Sequence, residues 1–295
     1  MQLIFPVGLI LIIVLWGIFS PASLGTISHI AMAAITKNFG WLYLWVVLGL
    51  VLFSAFLAFS RYGNLKLGKD DDEPEFSLPA WFAMLFAAGM GIGLVFWGVA
   101  EPLSHFTQGP PGTIARTPEA ANTAMRYSFF HWGLHPWAVY SIVALAIAFF
   151  QYRRQSVALI SESTKSLPWQ PVKRMSGLFN GLAVIATAFG VATSLGMGAM
   201  QINGGLAAVF GLTVNKYMQV GIIVVATALF IGSAVSGVAR GVKWLSSINM
   251  MVAALLALMV FLLGPTVVII DTFTNTLGSY CLLYTSDAAD EGLGV

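Results

Sequence analysis

Seven apolar runs, each close to the length of a bilayer crossing, limit what this chain can fold into. They lie at about residues 3–19, 41–59, 82–100, 129–150, 178–200, 218–235 and 248–268. A bilayer's hydrocarbon core is about 30 Å thick, and about 20 residues of α-helix cross it. Inside it every backbone N–H and C=O needs a partner within the protein, so such runs are read as helices. Composition agrees: 58% of the residues are hydrophobic and 9% charged, where soluble domains carry about 25% charged residues. The chain reads as an all-α integral membrane protein. Residues 1–280 form one transmembrane domain, with no soluble domain beside it.

The charges sort by loop. Arg61, Lys66, Lys69, Arg153, Arg154, Lys165, Lys173, Arg174, Arg240 and Lys243 fall in one alternating set of loops, and only Lys37, Arg116, Arg126 and Lys216 in the other. Cytoplasmic loops are enriched in Lys and Arg. The N-terminus and the loops after the second, fourth and sixth spans are therefore expected in the cytoplasm. The sequence pI of about 8.7 does not point to nucleic acid, because the basic residues are spread over short loops. The acidic run Asp70–Glu73, with Glu75, reads as a solvated turn. The first span lacks a basic leader and a clean small-residue cleavage site, so it is read as an anchor rather than a signal peptide.

The third span, FAMLFAAGMGIGLVFWGVA, carries Gly89, Gly91 and Gly93 at its centre. Each glycine costs a helix interior about 1 kcal/mol relative to alanine. Two readings follow. Gly89 and Gly93 form a small-xxx-small pair that lets two membrane helices approach. Alternatively the helix unwinds, and its freed backbone groups hold an ion or an anionic group, as in the broken helices of secondary transporters.

Thr117-Pro118-Glu119 forms a helix start: a hydroxyl cap, proline at the first helical position and an acid in the first turn. The helix beginning there is expected to run unbroken into the fourth span, with a bend where Pro136 frees the carbonyl of Trp132. Trp132, Trp137 and Tyr140 surround that bend. They suit an interfacial aromatic belt, or a cage for a quaternary ammonium group held by cation–π contacts. His131 and His135 stand four apart, a metal-ligand spacing, but Glu101 and His105, the other candidates in reach, complete no known motif with them, and no metal site is assigned. Glu101 is either a proton relay or a paired structural carboxylate. In the fifth span Thr187, Thr193 and Ser194 share one side of a helix. Their hydroxyls either coordinate Na⁺ or bond back to carbonyls one turn earlier.

Four stretches carry a family resemblance: GMGIGLVFWGVAEPLSH (Gly89–His105), FHWGLHPWAVY (Phe130–Tyr140), ATAFGVATSLGMGAMQ (Ala186–Gln201) and SAVSGVARGVKWLSSINM (Ser233–Met250). Together they resemble the betaine/choline/carnitine transporters, over about residues 1–280. The resemblance implies twelve transmembrane helices, two leading ones followed by two inverted five-helix repeats with a sodium-symporter-type core. This chain would hold the leading pair and the first repeat. The resemblance implies a multi-pass protein of the bacterial plasma membrane, a homotrimer at full length, and no enzymatic activity. It implies that Trp132, Trp137 and Tyr140 box the trimethylammonium group of the substrate. Gly89, Met90, Gly91 and Gly93 would line the substrate site from the broken helix. Ala87 and Met90 would offer backbone carbonyls to one Na⁺, and Thr187 would belong to a second Na⁺ site whose other threonine is Val191 here.

Choline-type members carry an aspartate where Gly93 stands, so Gly93 favours a zwitterion with its own carboxylate, such as glycine betaine. Sodium-independent members use a cationic side chain in place of Na⁺, and the fifth span has no Lys or Arg. The expected function is Na⁺-coupled import of glycine betaine or a related compatible solute across the lipid bilayer, with no other cofactor. The alternatives are proton-coupled or exchange transport of choline, carnitine or ectoine, and a membrane metalloenzyme built on His105, His131 and His135. Finally, Cys281–Glu291 resembles the translation of a transposase sequencing adapter. The expectation is that residues 281–295 are non-native and that Cys281, the only cysteine, belongs to that tail.

Overall fold

The computed structural model describes residues 4–110, 112–165 and 167–283, apart from the side chains at 88, 90, 92, 239, 240 and 283. Most of the adapter-like run, 284–295, lies outside the described residues. Among the described residues every regular element is helical. In chain order these are α1 (Ile4–Phe19), α2 (Pro21–Phe59), α3 (Leu78–Gly89), α4 (Trp97–Gln108), α5 (Pro118–Trp132), α6 (Leu134–Ala148), α7 (Ile160–Lys165), α8 (Gln170–Arg174), α9 (Ser176–Phe210), α10 (Lys216–Val235), α11 (Lys243–Leu263) and α12 (Thr266–Leu283). Wider π-type turns occupy Met90–Phe96, Phe149–Arg153 and Val238–Val242.

Five helical stretches are long and apolar enough to cross a membrane: Pro21–Phe59, Pro118–Arg153, Ser176–Phe210, Lys216–Val235 and Lys243–Leu263. Ile4–Phe19 and Leu78–Ala87 are shorter apolar helices. These seven cover the seven runs of the sequence. The apolar windows of the five long helices are almost wholly exposed, at most 6% buried within the chain. Apolar surface of that extent is stable in lipid, where it meets its own kind, and not in water.

The chain forms two compact units. One comprises Met1–Glu73 and Trp132–Ala192, the other Pro74–His131 and Thr193–Val295.

In the first unit α2 packs along α6, with α1 against α2. Pro6 of α1 is buried, and its Cγ lies 3.3 Å from where a Cβ on Gly181 of α9 would stand. A larger residue at 181 would require the Pro6 ring to give by a few tenths of an ångström. The buried backbone N–H of Ser161 donates to Asn180 Oδ1 at 3.2 Å, tying α7 to α9. The expected outer loop at 20–40 is instead helix, since α2 runs unbroken for 39 residues. Proline occurs only at its first position, where no helical N–H is lost. Thr26, Thr36 and Asn38 return their polar groups to carbonyls four residues earlier, so polarity there does not end the helix. At 1.5 Å per residue α2 is about 58 Å long, well beyond the hydrocarbon thickness.

The loop after α2 meets the end of the π-turn after α6. Arg153 Nη1 bonds Asp70 Oδ1 at 2.6 Å and Gly68 O at 3.0 Å, and Lys66 Nζ donates to Asp70 O at 2.7 Å. The alternation of charge assigns these two loops to the same side, and the ion pair joins them.

In the second unit α3 packs against α11. Ala80 and Ala83 of α3 and Ser246 of α11 are buried, small residues that permit close backbone approach. The seventh span ends earlier than expected, at Leu263 with Gly264 closing it. A further helix, α12, follows. Its Asp271, Thr272, Thr274, Asn275 and Thr276 keep its hydropathy low, which is why the apolar pattern does not reveal it. Phe273 of α12 meets Phe129 of α5, ring centroids 5.9 Å apart.

The Arg153 hydrogen bond, then its charge, hold the Asp70 carboxyl below its ordinary pKa. A depressed carboxyl favours the tied loops above its unfolded pKa, and this preference is lost as pH falls through its folded value. The carboxyl ¹³C resonance of Asp70 should therefore titrate at lower pH than a free aspartate, and Arg153→Gln should move its midpoint upward. Identical midpoints would show that the two loops are not paired.

Candidate solute and cation sites

The third span is interrupted where the unwound reading places it. Regular helix ends at Gly89, and Gly91 has φ −67° and ψ −109°. That pair lies outside the α and β regions open to residues with a Cβ. Gly93 sits within the same wide turn, and α4 restarts at Trp97. Ala87, half-buried, is in the last turn of α3, and Met90 opens the wide turn; the Met90 side chain lies outside the described residues. Ala87 and Gly89 thus close the regular helix α3, and Met90, Gly91 and Gly93 follow directly in the wide turn, kinked at Gly91, all within the second unit.

Trp132, Trp137 and Tyr140 belong to the first unit. The helix expected to run unbroken through them is divided at Gly133, with φ −86° and ψ −136°. Pro136 supplies no N–H to Trp132, and the glycine before α6 absorbs the change of direction. The orphaned carbonyl is not left bare: Trp137 Nε1 donates to Trp132 O at 3.1 Å. This bond uses the polar edge of the indole. Trp137 and Tyr140 stand edge to face, centroids 6.0 Å apart at 67°. A quaternary ammonium group has no N–H to donate and is bound by such faces.

Thr187 lies on the first unit's part of α9 and is exposed. Thr26 and Thr36 bond back to their own helix, whereas the Thr187 hydroxyl makes no hydrogen bond among the described residues. Thr193 and Ser194 belong to the second unit.

His131 is brought to Glu101 and His105, one turn apart on α4. Thr117 Oγ1 caps α5 by accepting from Ala120 N at 3.2 Å, and Arg116 N donates to Phe106 O at 2.9 Å. These bonds fix the short turn between α4 and α5. His131 Nδ1 then pairs with Glu101 Oε1, and His105 Nε2 lies 3.4 Å from the same oxygen. Glu101 is buried at 9% exposure, and a buried carboxylate is stable only when partnered. The structural reading of Glu101 is the one the geometry supports. The four-residue spacing of Glu101 and His105 was the signal for this cluster. It was obscured because His131 has an equally spaced neighbour in His135.

The family model for betaine/carnitine/choline transporters matches residues 2–290. The chain belongs to that family. It is a multi-pass membrane protein. The match reaches into the adapter-like segment. The chain is 51% identical over 268 residues to the glycine betaine transporter OpuD of Bacillus subtilis (strain 168), covering 90% of this chain and 52% of that protein. It is 42% identical to a probable glycine betaine transporter of Desulfitobacterium hafniense (strain Y51), covering 92% and 54%. It is 43% identical to an ectoine/hydroxyectoine transporter of Virgibacillus pantothenticus, covering 92% and 54%. The chain spans about half the length of these curated relatives, all named as transporters and none as an enzyme.

Gly91→Ala should favour a continuous helix by about 1 kcal/mol of propensity, with no side chain blocking the added methyl. Hydrogen exchange across residues 91–95 should be fast in the native chain and slowed by roughly fivefold in the variant. Equal protection in both would mean that the break does not depend on glycine.

Proposed function

We propose that the full-length protein is a secondary transporter that imports glycine betaine, or a closely related compatible solute, with Na⁺. The observation that carries this reading is the 51% identity to a glycine betaine transporter, joined to the edge-to-face pair of Trp137 and Tyr140. Trp132, Trp137 and Tyr140 would hold the trimethylammonium group. The unwound backbone at Gly89–Gly93 would receive the carboxylate through its N–H groups. Ala87 and Met90 carbonyls would ligate one Na⁺, and the unbonded Thr187 hydroxyl a second. Val191 offers no oxygen to that second site, so its occupancy would rest on other ligands.

The setting we propose is the bacterial plasma membrane, with a cytoplasmic N-terminus and a homotrimeric assembly in an osmoregulatory role. The helices described would be the leading pair and the first of two inverted repeats. Ectoine is the second substrate reading, favoured by the 43% identity to an ectoine/hydroxyectoine transporter.

Uptake of radiolabelled glycine betaine by the full-length protein in cells should require Na⁺. Replacement of Na⁺ by K⁺ at fixed pH should abolish it. Uptake unchanged by that replacement would refute sodium coupling, and ectoine uptake exceeding betaine uptake would change the assigned solute.

Gly93→Asp tests the carboxylate assignment. Two carboxylates about 4 Å apart at an effective dielectric near 20 repel by about 4 kcal/mol. A quarter of that shifts selectivity several-fold, since about 1.4 kcal/mol is tenfold. The ratio of betaine to choline uptake should fall accordingly. An unchanged ratio with transport retained would show that Gly93 does not lie beside the substrate carboxylate.

A further inference from the structure

The Glu101–His105–His131 cluster shares no residue with the solute and sodium positions above, and its chemistry points elsewhere. Two imidazoles and one carboxylate are a donor set that Zn²⁺ and its neighbours prefer. One ligand atom from each residue lies within 4.8 Å of the others. A tetrahedral ion with bonds of about 2.0–2.1 Å holds its ligand atoms about 3.3 Å apart. His105 Nε2 and Glu101 Oε1 already stand at 3.4 Å. The His131 pair is closer than that, and it opens when an ion enters, exchanging one hydrogen bond for two metal bonds.

A second observation comes from His105. Its Nε2 is buried and finds no hydrogen-bond partner among the described residues. A buried nitrogen aimed at a carboxylate, beyond hydrogen-bonding length, is a ligand atom without its acceptor or its ion. The surroundings hold the donors in place. Glu101 and His105 share one face of α4 through their four-residue spacing. The ring of Tyr127 lies 5.7 Å from that of His105 and 6.1 Å from that of His131, and limits how far either imidazole can turn. His131 keeps 44% of its side chain exposed, so an ion has a route in.

We propose that Glu101, His105 and His131 form a binding site for one divalent transition-metal ion such as Zn²⁺. Its ligands are Glu101 Oε1, His105 Nε2 and His131 Nδ1, and a fourth position remains open to water. The ion would fasten α4 to the last turn of α5. Three protein ligands with an open position define an exchangeable site rather than a closed structural one.

The test is Zn²⁺ titration of the full chain in detergent at neutral pH, in competition with a chromophoric chelator. One Zn²⁺ per chain is expected. His105→Ala and His131→Ala should each weaken binding by at least about tenfold, since losing even a supporting outer hydrogen bond costs that much. His29→Asn, on α2, should leave it unchanged. Binding that needs millimolar metal, or that is equally strong in both histidine variants, overturns the site. If either variant fails to fold, X-ray absorption at the zinc edge of the unsubstituted chain decides. Two imidazole nitrogens around the ion support the proposal, and one or none overturns it.

Discussion

Lipid offers no hydrogen bonds, and the rest of this structure follows from that. Each apolar run must settle its own backbone as helix, and each departure from helix must find another partner for the groups it frees. Polar side chains inside long helices obey the same rule. Thr26, Thr36, Asn38 and Ser54 all bond to a carbonyl four residues back. α2 can thus continue through a stretch that looks like a loop by composition. The departures that remain are few and local, so they identify where the chain does something other than span.

Two of these departures are of different kinds. At Pro136 the missing N–H strands the Trp132 carbonyl, and the indole of Trp137 supplies a substitute donor from the next turn. The defect is repaired, and the repair orients an aromatic ring. At Gly91 the backbone itself leaves the allowed helical region, over a stretch where glycine makes the departure inexpensive. Under the proposed function the rings of Trp132, Trp137 and Tyr140 would take the trimethylammonium end of a zwitterion, and the glycine stretch its carboxylate.

The apolar runs were legible in sequence because hydropathy and length report lipid burial directly. The cap at Thr117 was legible as a local rule of backbone chemistry, whereas the glycine spacing left close packing and a broken helix both open, and the family resemblance chose the break. Four features were not legible. α2 extends through 20–40 because back-bonding hides polarity that a composition reading counts as loop. α12 was missed because Asp271 and its polar neighbours dilute the apolar signal, though the segment is helical. The bend near Pro136 is centred on Gly133, because a proline's effect falls on the preceding turn and the glycine there yields most easily. Pairing of His131 was also illegible. Spacing along one helix offers His135, while the turn between α4 and α5 delivers Glu101, and only the fold chooses between them.

That choice bears on what a buried carboxylate can be in such a protein. An isolated ionised carboxylate at low dielectric is costly enough that it either takes up a proton or acquires a partner. Glu101 has acquired the His131 imidazole as its partner, with the His105 ring beside the same oxygen at 3.4 Å. A guanidinium would have locked the pair permanently, since arginine does not release its proton. Imidazole can serve the same oxygen as donor, or turn its lone pair to a cation that enters between them. A histidine-paired carboxylate is therefore a junction whose partner can change role, whereas Arg153 can serve the exposed Asp70 only as a donor. Under the proposal above, the junction between α4 and α5 is of the first kind, at Glu101 and His105 on the helix that follows the glycine break.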